Sequence, residues 1–377
     1  MQERILSTRQ KRNRVTIPQS AAQTAPFAQG SQEKEKIMDT RDLLLKFSSV
    51  DGNSGDEKLA AKAAVELLSE YGKTYIDNLG SVICEVAPEK NGRHVMLDAH
   101  LDQIALLVIN IEENGFLRTY PCGGIDRRGI YGTKVRVLGK DGEYTGIVCN
   151  VPPHLKDVNE KNPERDEIFI DIGLSKEETE KWVRLGDRVM LCGRWSDIGN
   201  GYVTGPALDD RSGCVTILEA LEILKGKELP CGLTAVFSTR EETGGQGAGA
   251  AAFAVAPTEA IEIDVGFGKT PDTTEINSKA MKKGPVVAFH PTLDIEISRK
   301  LIALAEKNEI PFQVEAYGGS STGTNADDIA SAGAGVRTGL ISIPQQYMHS
   351  IIEKVSVDDV KNVGRLLAAF VMEGGEN

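Results

Sequence analysis

The chain holds no run of about 18 or more apolar residues, so no segment could cross a bilayer as a helix. Its first residues are polar and basic and lack the apolar core of a cleavable export signal. Basic side chains are in the minority, 43 Lys and Arg against 55 Asp and Glu, and the net charge of -12 argues against a nucleic-acid-binding surface as the main function. The six cysteines (Cys84, Cys122, Cys149, Cys192, Cys214, Cys231) include no C-x-x-C pair. That removes the usual thiolate metal and redox motifs and leaves free buried thiols in a reducing cytoplasm as the reading. No internal repeat is visible. What is present is an acidic chain of 377 residues, long enough for two domains and suited by its surplus carboxylates to collecting cations.

Residues 1–36 differ from the rest. Arg4, Arg9, Lys11, Arg12 and Arg14 cluster there, followed by a Gln/Ala/Ser/Pro stretch with little to bury. We expect a disordered tail, or sequence ahead of a start at Met38, in preference to a transit peptide. From 37 to 103 the pattern is α/β: helical spacing over 43–47 and 57–71, strands over 73–77, 81–86 and 95–98. From 104 to 203 short alternating segments recur, at 115–120, 134–137, 144–150, 167–171 and 188–191, and only 176–184 reads as a helix. This predicts a β-rich domain inserted into the α/β one. From 204 to 377 helices and strands alternate again, which predicts a mixed, mostly parallel sheet covered by helices.

The chemistry collects at the ends of these strands, where open α/β sheets place their sites. Glu241 and Glu242 follow the apolar run 233–237 and precede Thr243-Gly244-Gly245. Adjacent like charges in a loop repel unless a cation lies near. One of the two can bind a divalent metal while the other takes a proton from water. His100 and Asp102 follow 95–98, Asp209 and Asp210 precede a helix, Asp264 lies in the run 260–265, and His349 follows 336–343. Alone, each has an ordinary explanation, such as a helix cap for Asp-Asp or solvated glutamates. Five loops converging on one site is the more economical account. Two imidazoles and three carboxylates without thiolate suit two ions of zinc, cobalt or manganese, which lie about 3.5–4 Å apart in such sites.

These segments resemble one family. His100-Leu101-Asp102, Leu208-Asp209-Asp210-Arg211-Ser212-Gly213, Arg240-Glu241-Glu242-Thr243-Gly244, Ile263-Asp264-Val265 and Tyr347-Met348-His349-Ser350 are similar to the motifs of the TET-type dinuclear metallo-aminopeptidases. These are the glutamyl and deblocking aminopeptidases, some of which carry a cellulase label. Pro152-Pro153-His154-Leu155 and Phe169-Ile170-Asp171-Ile172-Gly173 look like that family's PDZ-like β domain. The resemblance covers about residues 39–375.

It implies a zinc-peptidase-like fold, with His100 and Asp264 on one metal, Glu242 and His349 on the other, and Asp209 bridging. Asp102 would orient His100 through its ring nitrogen, and Glu241 would be the general base. It further implies cleavage of N-terminal residues from short peptides by a cytoplasmic enzyme assembled from dimers into a tetrahedral dodecamer. Gln103 and Ala105, Asn325 and Ile351 depart from the family's usual residues without removing a ligand. By the same analogy Lys269 could attract a substrate carboxylate and favour glutamyl or aspartyl peptides, its ordinary alternative being a solvated lysine. The competing classes are an N-acyl or glycan hydrolase on the same metals, or an inactive assembly scaffold.

Overall fold

A computed structural model of the protein describes residues 39–151, 154, 164, 165 and 167–374. The expected disordered tail and the segment Pro152-Pro153 lie outside the described residues. The chain begins with α1 (Thr40–Ser48), α2 (Lys58–Leu68), β1 (Lys73–Ile76), β2 (Val82–Ala87) and β3 (His94–His100). It then runs through β4 (Ala105–Ile111), β5 (Leu117–Cys122), β6 (Lys134–Gly139), β7 (Gly142–Val148), β8 (Ile168–Asp171), α3 (Lys176–Trp182) and β9 (Arg188–Leu191). The short β10 (Ser196–Asp197) and β11 (Tyr202–Gly205) lead to α4 (Leu208–Leu224), β12 (Gly232–Ser238), α5 (Gln246–Val255) and β13 (Glu259–Phe267). The last elements are β14 (Val286–Phe289), α6 (Ile295–Lys307), β15 (Gln313–Ala316), α7 (Ala326–Ala330), β16 (Arg337–Gln345), β17 (Glu353–Ser356) and α8 (Val357–Met372).

Eight strands form one mixed sheet in the order β1-β2-β12-β3-β13-β16-β14-β15. The four central strands β12, β3, β13 and β16 are mutually parallel. The edges are antiparallel where β2 meets β1 and β12 and where β14 meets β16. Every residue of β12 is buried, as expected of a central strand covered on both faces. Alternation divides its side chains between two cores. Leu233, Ala235 and Phe237 join the large core with α1, α2, α4 and α8, whereas Val236 packs with Ala248, Ala251, Ala252 and Ile329 on the other face. The near-continuous alanines of α5 let that helix lie close to the sheet.

Strands β4, β5, β8, β7, β6 and β9 form a closed barrel in that order, around Leu106, Val135, Val137, Ile168, Ile170 and Val189. Its strands fall inside the segment read as β-rich. Strand β4 went unread in the sequence because Ala105–Ile111 is apolar at its start and follows directly on the His100 motif. Closure of β4 onto β9 leaves the barrel without a free edge. Sheet and barrel belong to one compact unit.

Candidate metal centre

The four parallel strands end side by side, and their following loops meet. His100 is the last residue of β3, in register with Ser238 at the end of β12. Strand β13 runs past the end of β3, since Ile263 is the last of its residues to pair with β3, opposite Ala99. Asp264, the next residue, comes level with His100. Its carboxylate accepts from the N–H of Val265 at 2.7 Å, and its Oδ1 lies 3.8 Å from His100 Nε2.

Asp209 and Asp210 stand before the regular part of α4, both with non-helical backbone angles, and the peptide between them is cis. Their roles separate. Asp210 Oδ1 accepts from the N–H of Gly213 at 2.9 Å, so Asp210 caps the helix. Asp209 turns outward: its Oδ1 is 3.0 Å from His100 Nε2, and its Oδ2 is 3.5 Å from His349 Nε2. His349 Nε2 is also 3.5 Å from Glu242 Oε2. Two trios result, His100 with Asp209 and Asp264, and Asp209 with Glu242 and His349, each with its donor atoms within 4.8 Å of one another. Asp209 is common to both and offers one oxygen to each side. The trios differ in access: the His100 side chain is 1% exposed, that of His349 34%.

Glu241 is close but belongs to neither trio, with Oε2 3.9 Å from His100 Nε2. Asp102 is fully buried, and its role is not simply the expected one. His100 Nδ1 is 3.1 Å from the Asp102 backbone carbonyl and 3.6 Å from its carboxylate. The Asp102 carboxylate instead accepts the N–H groups of Glu241 at 3.0 Å and Glu242 at 3.2 Å, fixing the glutamate turn. Arg240, just before that turn, has φ 63°, and His349 has φ 59°. Left-handed backbone at non-glycine residues is held only where the surroundings fix it.

Several contributors were not read from the sequence. Glu353, buried in β17, accepts from the N–H of Asp209 at 3.0 Å and from that of His349 at 3.2 Å. Gly123 and Gly124, in the loop after β5, pack against the ligands. A Cβ on Gly124 would lie 2.7 Å from His349 Nδ1, and one on Gly123 2.6 Å from Glu242 Oε2. The barrel thus supplies one wall of the site, and the N–H of Asp126 holds the His349 carbonyl at 2.9 Å. Beneath the site Asp98 and Glu262 are cross-strand partners and wholly buried. Ser238 and Asn325 donate to Asp98, and Thr324 donates to Glu262. The signals were faint: a Gly-Gly pair, and single acidic residues in ordinary strand alternation.

The electrostatics show what such a cluster needs. Burial, and next the repulsion of Asp209, holds the Glu242 carboxyl well above its usual range. Asp264 is raised by burial and by Glu241 and Asp209, against the pull of His100. Glu241 is pushed up to about 7, mainly by burial. Burial disfavours the charged form of His100, but hydrogen bonds to Asp102 and Asp209 outweigh it and keep the imidazolium well above its ordinary pKa. Anions this crowded out of water require protons or cations. Glu242 Oε1 is buried without a hydrogen-bond partner. A mixed set of imidazole nitrogens and carboxylate oxygens, one of them shared, fits divalent ions of the zinc, cobalt or manganese kind.

The six cysteines are all free; Cys84, Cys214 and Cys231 are buried as expected, whereas Cys192 is exposed and Cys122 and Cys149 are half-buried. No helix among the described residues is long and apolar enough to cross a membrane. The ammonium of Lys269 lies 2.9 Å from Glu275 in a surface ion pair.

Comparison with known proteins gives concordant matches. The family model for M42 glutamyl aminopeptidase matches residues 80–366. A lysyl aminopeptidase from Pyrococcus furiosus is 33% identical over 88% of this chain and 96% of its own length. The structure of an aminopeptidase from the archaeon Desulfurococcus kamchatkensis superposes with a TM-score of 0.82 at 33% identity, covering 89% of this chain and 95% of that one. The TET1 peptidase of Pyrococcus horikoshii, described as assembling into a tetrahedron or a large octahedral shell, gives a TM-score of 0.78 at 29% identity over 89% of this chain and 99% of that one.

Proposed function

The chain belongs to the M42 glutamyl aminopeptidase family, and on that premise we propose that it removes single residues from the free N-terminus of short peptides, using two divalent ions and Glu241 as general base. The observation that carries this reading is Asp209, whose two oxygens face His100 at 3.0 Å and His349 at 3.5 Å. His100, Asp209 and Asp264 would hold one ion, and Asp209, Glu242 and His349 the other. When bound, such ions lower the pKa of water and polarise a carbonyl.

The remaining steps belong to the chain's own groups. Glu241 takes the proton of the attacking water and returns it to the leaving amine, which asks for a carboxyl able to exchange protons near neutrality. Burial places Glu241 in that range, at about 7, and nearby cations would draw it down. Asp102 keeps Glu241 and Glu242 in fixed order through their N–H groups. The substrate would bind through its own α-amine near one of the ions, which would favour a free N-terminus over an internal bond.

The test is a panel of lysyl, glutamyl and leucyl chromogenic substrates with N-acetylated controls, each run with and without a strong chelator. We expect hydrolysis of at least one free-amine substrate, none of its acetylated counterpart, and loss on chelation that added metal restores. Equal turnover of acetylated substrates, or activity indifferent to chelation, would remove the reading.

The barrel, within the segment 104–203 read as inserted and closed by β4 and β9, would be the PDZ-like dimerisation domain. Assembly into a tetrahedral dodecamer is part of the same proposal, supported by the tetrahedron that the Pyrococcus horikoshii relative can form. A cytoplasmic location belongs to the proposal as well. Light scattering that finds only monomer would reject the assembly.

A further inference from the structure

Within the reading proposed above, we infer that Glu353 is a positioning residue that sets the second ion position, the one formed by Asp209, Glu242 and His349, more strongly than the first, which shares Asp209 but takes its other two ligands from the sheet. The two positions are built differently. His100 ends β3 and Asp264 lies inside β13, where it is in register with Ser342 of β16, so the sheet ladder itself fixes the two ligands of the first position that it does not share. Among the described residues no ladder holds the ligands of the second, and its histidine is the more exposed, so we assign it the weaker ion. Asp209 precedes the regular turns of α4, Glu242 lies in the turn after β12, and His349 lies in the loop after β16 with a left-handed backbone.

Each of these three loop ligands gives its N–H to a buried carboxylate that belongs to neither trio. Asp102 receives Glu242 at 3.2 Å. Glu353 receives Asp209 on Oε2 at 3.0 Å and His349 on Oε1 at 3.2 Å. One carboxylate therefore ties together two loops whose ligands are otherwise far apart in the chain. Glu353 is 2% exposed and sits in β17, which is paired with β11 over Glu353–Ser356. The clamp is anchored to a strand, and its two acceptor oxygens set the distance between the shared carboxylate and the His349 imidazole. Groups that orient ligands in this way typically change metal affinity by about 10- to 100-fold when removed.

The decisive experiment titrates Co²⁺ or Zn²⁺ into the metal-free full-length protein against a competing chelator dye, for wild type, Glu353→Gln and Glu353→Ala. Gln keeps one acceptor oxygen and turns an N–H₂ towards the other N–H, so it opens one side of the clamp. Wild type should take up two ions per chain. In Glu353→Gln the weaker ion should lose about 10- to 100-fold in affinity. The tighter ion should lose several-fold less, the melting temperature of the metal-free protein should stay at the wild-type value, and the Co²⁺ absorption should change mainly in the second half of the titration. Glu353→Ala should lose at least as much of the weaker ion; if it does not fold, the Gln variant decides. Wild-type affinity for both ions would overturn the inference. So would a parallel fall in both affinities and in metal-free melting temperature, which marks a merely structural residue. A wild-type protein that takes up fewer than two ions would instead overturn the reading of the site, and the clamp with it.

Discussion

Replacing Glu241 by Gln is expected to lower peptide hydrolysis by about 10²- to 10⁴-fold while leaving metal content at the wild-type level. The side chain keeps its shape, so the loop should keep its course. The N–H of Glu241 still donates to Asp102, and that bond does not depend on the side chain. Glu241 stands outside both ligand trios, so no metal donor is lost. What disappears is the only function assigned to it, the capacity to accept a proton and give it back. Turnover of an aminoacyl substrate, measured together with elemental analysis of the same preparation, checks both halves. Activity within a few-fold of wild type would refute the base assignment. Loss of a metal ion along with the activity would make Glu241 a ligand instead.

Asp209→Asn and Asp210→Asn should separate two neighbouring residues by their chemistry. Asn at 209 keeps one carbonyl oxygen and loses both the charge and the second acceptor. We expect it to retain at most one ion per chain and to fall below detectable turnover. Its backbone remains tied to Glu353, so the fold should survive. At 210 the outcome should be mild. Asp210 belongs to neither ligand trio, so no metal donor is lost there. Asn caps helices about as well as Asp and can still accept from Gly213. Elemental analysis, activity and thermal melting of the two variants decide the matter. Two ions and normal turnover in Asp209→Asn would contradict the shared-ligand geometry.

The contrast between these neighbours also shows what a sequence can and cannot reveal. Asp209, Glu242, His100, Asp264 and His349 were legible because each is a chemically distinctive residue at or near a predicted strand end, and the parallel sheet brings those ends together. The central sheet was legible for a related reason: β12 and β13 are short apolar runs flanked by helical spacing. Glu353 was not legible. It acts by accepting backbone N–H groups, and any residue but proline can supply those, so no residue pattern records the partnership. The same holds for Asp102, whose carboxylate serves the glutamate turn more closely than it serves the His100 ring. Gly123 and Gly124 gave a signal of the other kind, an empty space, and its meaning depends on which side chain fills it. That the barrel closes also lay beyond local pattern. Closure depends on β4 meeting β9 across the whole β-rich segment, and only three-dimensional register sets that.

The most direct measurement is anomalous diffraction from crystals of the metal-loaded protein at the absorption edge of the bound metal. We expect two peaks, one on each side of the Asp209 carboxylate, the first also reached by His100 and Asp264 and the second by Glu242 and His349. A single peak, or peaks away from Asp209, would contradict the shared centre on which the proposed chemistry rests.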